Sequence, residues 1–312
     1  MKQYLEVLKD IKENGILKHN RTGIDTLSLF GKILRFNLND GFPCITTRKI
    51  FFKGIITEML WFLNSIPDEY KQLDMTNIKY MVDNNVYIWV EWCYDNYLKQ
   101  NNINIERYSS DWKLRLEDFK NNIKNGFDFA NKWGNLYNMY GAQWISWGDK
   151  KINQIKKIQD QLRINPDSRR LVVSAWNVSD LEYMLLEPCH FCYQFNSTFN
   201  KDGERVLNLL FNMRSCDFPL GYPYNISSYS YLLHMMAQTT NHKVGEIISV
   251  LGDTHIYVNQ LEGITEQLNR EPKKLPTLKI NKNITDIFDF RLNDFEIQNY
   301  ESQPSIKMPI SV

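Results

Sequence analysis

Apolar residues at Tyr4, Leu5, Leu8, Ile11 and Ile16 recur at near-helical spacing and predict an amphipathic helix over residues 1–20. Leu27-Ser28-Leu29-Phe30-Gly31 and Ile33-Leu34-Arg35-Phe36 alternate as strands do, with a turn or bulge expected at Gly31. The run from Phe52 to Leu63 is apolar on nearly every side, which predicts a buried helix. Glu58 stands alone inside that run, and a carboxylate there needs a partner or a task. Ile152, Ile155, Ile158 and Leu162 mark a second amphipathic helix, ended by Asn165-Pro166. Leu171 to Trp176 reads as a strand and Ser230 to Gln238 as another buried helix. Residues 94–130 are rich in Asn and Lys, with Leu114, Leu116 and Phe119 among the charges, and read as a helical surface insertion. Strands and helices intersperse without a linker, so the fold class is α+β: one domain over residues 1–312 with a mixed, twisted sheet covered by helices.

Composition narrows the classes of function. The 312 residues are 43% hydrophobic, enough to bury a sizeable core. Lys and Arg number 37 against 36 Asp and Glu, which leaves no basic face for nucleic acid. No window approaches the roughly 20 apolar residues of a membrane helix, and Met1-Lys2-Gln3-Tyr4-Leu5 opens no signal peptide. The expected location is the cytoplasm. Cys44, Cys93, Cys189, Cys192 and Cys216 fit no zinc spacing, and the Cys189-x-x-Cys192 pair leads into an aromatic strand instead of a helix. Reduced, unpaired thiols are the better reading.

The chemistry concentrates in one region. Pro188-Cys189-His190 places a thiol at the entry to a strand. Arg214-Ser215-Cys216-Asp217 and then Gly221-Tyr222-Pro223-Tyr224-Asn225 follow within about 40 residues. A nucleophile, an anion-binding fork, a carboxylate and an amide form a parts list for covalent catalysis on a phosphorylated substrate. Each part also has a plain alternative: Cys189 as an inert buried thiol, Arg214 as a partner for Asp217. His190 does not activate Cys189 by adjacency, because successive strand side chains point to opposite faces. Asp167-Ser168-Arg169-Arg170 offers a second pair of guanidinium forks for phosphate, or two solvated arginines. His255 and Tyr257 share a face if extended and could reach a sugar hydroxyl. Trp89, Trp92, Trp133, Trp144 and Trp147 could pack a core or stack on a flat heterocycle.

Taken together, these segments resemble the thymidylate synthase and pyrimidine hydroxymethylase family from end to end. The resemblance is carried by Asp40-Gly41-Phe42-Pro43, Glu58 with Leu60-Trp61-Phe62, Ile88-Trp89 with Glu91-Trp92, and Tyr140-Gly141 with Gln143-Trp144. It continues through Pro166 to Arg170, Pro188 to His190, Arg214 to Asp217, Asn225-Ile226, Gly252 to His255 with Tyr257, and Ile306-Lys307 with Pro309.

The resemblance implies a folate-dependent one-carbon transferase that converts dUMP to dTMP with 5,10-methylenetetrahydrofolate as co-substrate, releases dihydrofolate and needs no metal. Cys189 would attack C6 of the uracil, and Asn225 would read its N3 and O4 edge, where a carboxylate would suit cytosine. Arg21, Arg214 and Ser215 would hold the phosphate, joined by Arg169 and Arg170 of a second subunit in an obligate homodimer whose sheets pack back to back. His255 and Tyr257 would bind the 3′-hydroxyl. Glu58, Tyr140 and His190 would manage protons. Ile88, Trp89, Trp92, Asp217, Leu220, Gly221, Tyr224, Ile310 and Ser311 would line the folate site, and the terminal Pro309 to Val312 would close over it.

Some positions depart from that pattern. Met213 stands where most synthases have Gln, Val90 where Asp is usual, and Phe218-Pro219 replaces the usual pair. Looser water exclusion would let water quench the transferred methylene, so a deoxyuridylate hydroxymethylase, releasing tetrahydrofolate, is the alternative.

Overall fold

The computed structural model describes residues 1–311. Its backbone is a six-stranded mixed sheet in the order β1-β2-β6-β5-β4-β3. The strands are β1 (Ile16–Lys18), β2 (Thr26–Asn37), β3 (Val172–Ser174), β4 (His190–Phe199), β5 (Arg205–Asp217) and β6 (Lys243–Tyr257). β6 pairs antiparallel with β2 and parallel with β5; the remaining pairings are antiparallel. A separate hairpin joins β7 (Thr277–Ile280) to β8 (Phe295–Gln298).

The period-2 pattern explains why one face of the sheet is covered. Leu207, Leu209, Phe211 and Met213 on β5, with Ile247, Ser249 and Leu251 on β6, all point inward. The helices are α1 (Lys2–Asn14), α2 (Phe52–Phe62), α3 (Lys79–Asp83), α4 (Val90–Gln100), α5 (Ser110–Asn125), α6 (Phe127–Trp133), α7 (Tyr140–Ile145), α8 (Gln154–Ile164), α9 (Gly221–Thr239) and α10 (Leu261–Leu268); α1 and α9 pack on the sheet and others pack on them. The central one is α9, where Tyr229 stacks on Phe211 with centroids 4.3 Å apart. The apolar α2 lies beside it, and Trp61 donates its indole N–H to the Asn77 carbonyl at 2.9 Å. One contiguous apolar core results.

Several expectations are corrected. The first helix stops at Asn14, not residue 20: Gly15 turns to extended backbone (φ −64°, ψ 139°) while its N–H still caps the Ile11 carbonyl, and no larger residue would fit there against Leu27. Ile16 therefore lies on β1 and is exposed. Gly31 takes a left-handed φ of 82° yet neither reverses the chain nor shifts the ladder, since Phe30 pairs Asp253 and Lys32 pairs Leu251. The buried helix expected from Ser230 begins at Gly221, because Pro223 sits in its first turn where a missing N–H costs nothing. The insertion is only partly superficial. Trp112, Leu116, Phe119 and Ile123 are buried, and Tyr94 and Tyr97 pack on Phe119; Leu114 faces solvent.

The topology brings chemistry to one end of the sheet. β4 and β5 are antiparallel, so the start of β4 meets the end of β5: His190 pairs Met213. Parallel pairing then sets Ser215 level with Asp253 and Asp217 level with His255. The N-terminus of α9, with Asn225, follows immediately.

Candidate active site

Cys189 sits just ahead of β4, half-buried, and its backbone is clamped from both sides. Its N–H donates to the Tyr140 hydroxyl oxygen at 2.7 Å, and its carbonyl accepts from the Arg214 N–H at 2.8 Å. The Arg214 guanidinium does not pair with Asp217. It folds back to donate to the carbonyls of Pro188 (3.0 Å) and Glu187 (2.8 Å), over the Trp176 ring. Burial pushes the Cys189 thiol up, while the charge of Arg214, the Tyr140 hydroxyl and Arg21 pull it back and Glu187 opposes them. The nucleophile of the sequence reading therefore lies within the field of two arginines.

Glu58, on α2, accepts from the Trp89 indole N–H at 2.7 Å. Burial drives its pKa up to about 7, against that hydrogen bond. A carboxyl poised there can give or take a proton at neutral pH. Tyr140 stacks flat on His190, with centroids 3.9 Å apart and 2° between planes. His190 Nδ1 shares a hydrogen bond with the Tyr229 hydroxyl at 2.8 Å, and burial lowers its pKa to about 3. His190 is thus a neutral ring at physiological pH, packed flat against Tyr140.

Asp217 caps the turn after β5, accepting from the Leu220 N–H at 3.1 Å, and its pKa is raised by burial. Gly221 leaves open the space between Asp217 and Asn225: a Cβ there would lie 3.7 Å from Asn225 Oδ1 and 3.8 Å from Asp217 Cβ. His255 and Tyr257 share one face of β6 with rings perpendicular at 5.4 Å, as the alternation implied. Burial pushes the Tyr257 hydroxyl up; Asp217 and Cys189 raise it further, and Arg21 lowers it.

Trp89 and Trp92 form a tilted pair 5.2 Å apart, with Ile88 exposed beside them. Leu220 and Tyr224 are half-buried on the helix side. The terminal segment runs past this rim. Gln260 Nε2 donates to the Pro309 carbonyl at 3.1 Å, and Asn259 donates to Ser311 Oγ at 3.3 Å. Ile310 is exposed, and the expectation for Val312 lies outside the described residues. A cavity of about 300 Å³ adjoins the rim and joins Arg21 and Trp92 to Lys99 and Arg107 of the insertion.

Two expected site residues are absent from this cluster. Val172 pairs Gln194, which sets Arg170 level with about residue 196, on the order of 20 Å along β4 from Cys189. Arg169 and Arg170 are exposed, and neither makes an ion pair among the described residues. Met213 and Val90 are both packed into the core. The sequence reading missed Gln260, whose Oε1 accepts from the Tyr257 N–H at 3.1 Å, and Tyr229 under His190. Neither carries a local signal. Among the described residues no group of three or more His, Cys, Asp or Glu is placed to hold a metal ion. No helix among them is long and apolar enough to cross a membrane.

A thiol within reach of arginines, a carboxyl near neutrality and an aromatic wall define a covalent transferase site, and comparison with known proteins says which. The family model described as Thymidylate synthase matches residues 2–312. Thymidylate synthase of Mycoplasma mobile is 45% identical over 312 residues, covering all of both chains. That of Malacoplasma penetrans is 42% identical over the same span, and that of Listeria monocytogenes serotype 4a is 39% identical over 328 aligned positions, again covering both chains in full. The chain belongs to the thymidylate synthase family.

Proposed function

We propose that this chain catalyses reductive methylation of dUMP to dTMP with 5,10-methylenetetrahydrofolate, releasing dihydrofolate. The observation that carries this reading is Cys189, whose backbone N–H is held by Tyr140 and whose thiol is drawn toward the thiolate by Arg214, Tyr140 and Arg21. Full-length similarity to proteins named thymidylate synthase favours methylation over the hydroxymethylase alternative.

The residues have the following tasks. Arg21, Arg214 and Ser215 bind the phosphate, whose dianion suits paired guanidinium donors. His255 and Tyr257 hold the 3′-hydroxyl. Asn225 donates to O4 and accepts from N3–H. The Cys189 sulfur adds to C6, and a proton delivered through the Glu58 side of the site neutralises charge at O4. C5 thereby becomes the carbon nucleophile. Once C5 has bonded the one-carbon unit, Glu58 and Tyr140, braced by His190, take the C5 proton as the folate nitrogen leaves, and hydride addition to the exocyclic methylene so formed breaks the C6–sulfur bond and frees the Cys189 thiolate. The reduced folate supplies both the one-carbon unit and the hydride. Ile88, Trp89, Trp92, Leu220 and Tyr224 offer it a flat apolar wall, Asp217 a polar contact for its pterin and Gly221 the needed room. Ile310 and Ser311 close the rim.

The same reading makes the enzyme an obligate homodimer of single-domain subunits in the cytoplasm. Arg169 and Arg170 cannot reach their own subunit's Cys189, and the uncovered side of the sheet exposes Ile33 (66%) and Val172 (42%). A second copy laid on that face would cover the apolar residues and deliver the arginines.

The reading is tested by incubating the protein with dUMP and methylenetetrahydrofolate and identifying both products. Dihydrofolate with dTMP is expected; tetrahydrofolate with 5-hydroxymethyl-dUMP contradicts it. Asn225→Asp is expected to move preference toward dCMP, measured as the ratio of kcat/KM values. Unchanged uracil selectivity refutes the role given to that amide. Mixing inactive Cys189→Ala and Arg169→Ala chains is expected to restore activity in heterodimers carrying one intact site. Zero recovery counts against shared arginines.

A further inference from the structure

We propose that Asp253 is a positioning residue of the nucleotide site, holding the His255 imidazole as the Nδ1–H tautomer so that Nε2 faces the sugar as an acceptor. The inference rests on the reading that His255 contacts the 3′-hydroxyl.

Three strands converge on this one carboxylate. Asp253 and His255 stand two residues apart on the same face of β6, with His255 Nδ1 3.2 Å from Asp253 Oδ1. Ser28 of β2 donates its hydroxyl to the same oxygen at 2.7 Å. The Lys18 ammonium of β1 binds the other oxygen. An exposed Lys–Asp pair alone would contribute little, but a carboxylate receiving three donors from three strands is fixed in place.

The proton between His255 and Asp253 can then be assigned. The hydrogen bond from His255 holds the Asp253 carboxyl well below the usual range; burial opposes it, and the hydrogen bonds from Lys18 and Ser28 outweigh that opposition together with His255. An ionised carboxylate only accepts, so the shared proton belongs to Nδ1, and the Nδ1–H tautomer carries its lone pair on Nε2. Tyr257, perpendicular at 5.4 Å, fixes the ring plane. Asp217 stands level with His255 on β5 but is engaged by the Leu220 N–H. Lys18 lies three residues before Arg21, so the same carboxylate also ties the phosphate loop to the sugar-side strand.

The test uses the full-length dimer and two nucleotides, dUMP and its 2′,3′-dideoxy analogue, which lacks the hydroxyl. Asp253→Asn lets an amide N–H face Nδ1 and releases the tautomer. The expected result is a rise of about 3- to 10-fold in KM for dUMP, the worth of one hydrogen bond, with kcat little changed and no effect on the dideoxy analogue. His255→Gln is expected to show the same dependence on the hydroxyl. Nitrogen-15 NMR of histidine-labelled protein, with His255→Gln used to assign the signal, is expected to give a protonated Nδ1 and a bare Nε2 in the unmutated enzyme. Equal KM increases for both nucleotides overturn the positioning role, and a protonated Nε2 in the unmutated enzyme overturns the tautomer without need of any variant. If His255→Gln itself ignores the hydroxyl, the sugar contact is what fails, and the NMR signal alone decides what Asp253 does.

Discussion

Cys189→Ser is expected to lower kcat by about 10⁴-fold or more, because the whole path runs through one covalent bond and an alcohol at this position has no adjacent base. Nucleotide binding should survive. Arg214 makes its contacts through the Pro188 and Glu187 carbonyls and the Cys189 carbonyl, none of which the substitution touches. Rapid-quench kinetics and equilibrium dialysis with dUMP separate the two effects. A serine variant that turns over within ten-fold of the parent enzyme would remove the sulfur from the mechanism.

Glu58→Gln is expected to act in opposite directions on rate and on stability. Its loss as a proton donor and acceptor should reduce kcat by about 10²- to 10⁴-fold. The pH profile should change as well. With a carboxyl near 7 and a thiol pushed higher by burial, the working state carries one proton shared between them, so kcat/KM climbs as pH passes through about 7. That limb should vanish in the amide variant and move to the thiol's range. Stability follows from the same shift. The folded pKa lies above the unfolded value of about 4.3, so unfolding releases this proton over the interval between them and folding stability declines as pH rises from about 4.3 to 7. A neutral amide avoids that cost, which is on the order of 3 kcal/mol above pH 7. Thermal melts at pH 8 should therefore show the inactive variant more stable than its parent, with the difference shrinking at pH 5. A pH-independent difference would mean that Glu58 is not held protonated by burial.

What could be read in the sequence follows from how locally each signal is encoded. Cys189, Arg214, Ser215 and Asp217 lie at the ends of two adjacent strands, so motif and geometry coincide. His255 and Tyr257 obey a two-residue period that any extended segment enforces. The rest is tertiary. The first helix ends at a glycine that turns to extended backbone in a space Leu27, a dozen residues on, leaves too tight for any side chain. His190 is neutral because Phe62, Trp144 and Tyr229 enclose it from three helices, and none of these is near it in sequence. Arg169 and Arg170 gave a phosphate signal in sequence, and the backbone ahead of β3 sets them away from their own subunit's Cys189, where only a second copy could use them. Met213 and Val90, departures from the usual pattern that pointed to lost polar groups, are core residues here.

The most direct measurement is to acid-quench the enzyme during turnover of dUMP with methylenetetrahydrofolate, digest it, and locate nucleotide-bearing peptides by mass spectrometry. The account expects the added mass on the sulfur of Cys189. Turnover with no adduct on that peptide, or with the mass on Cys192 instead, would contradict it.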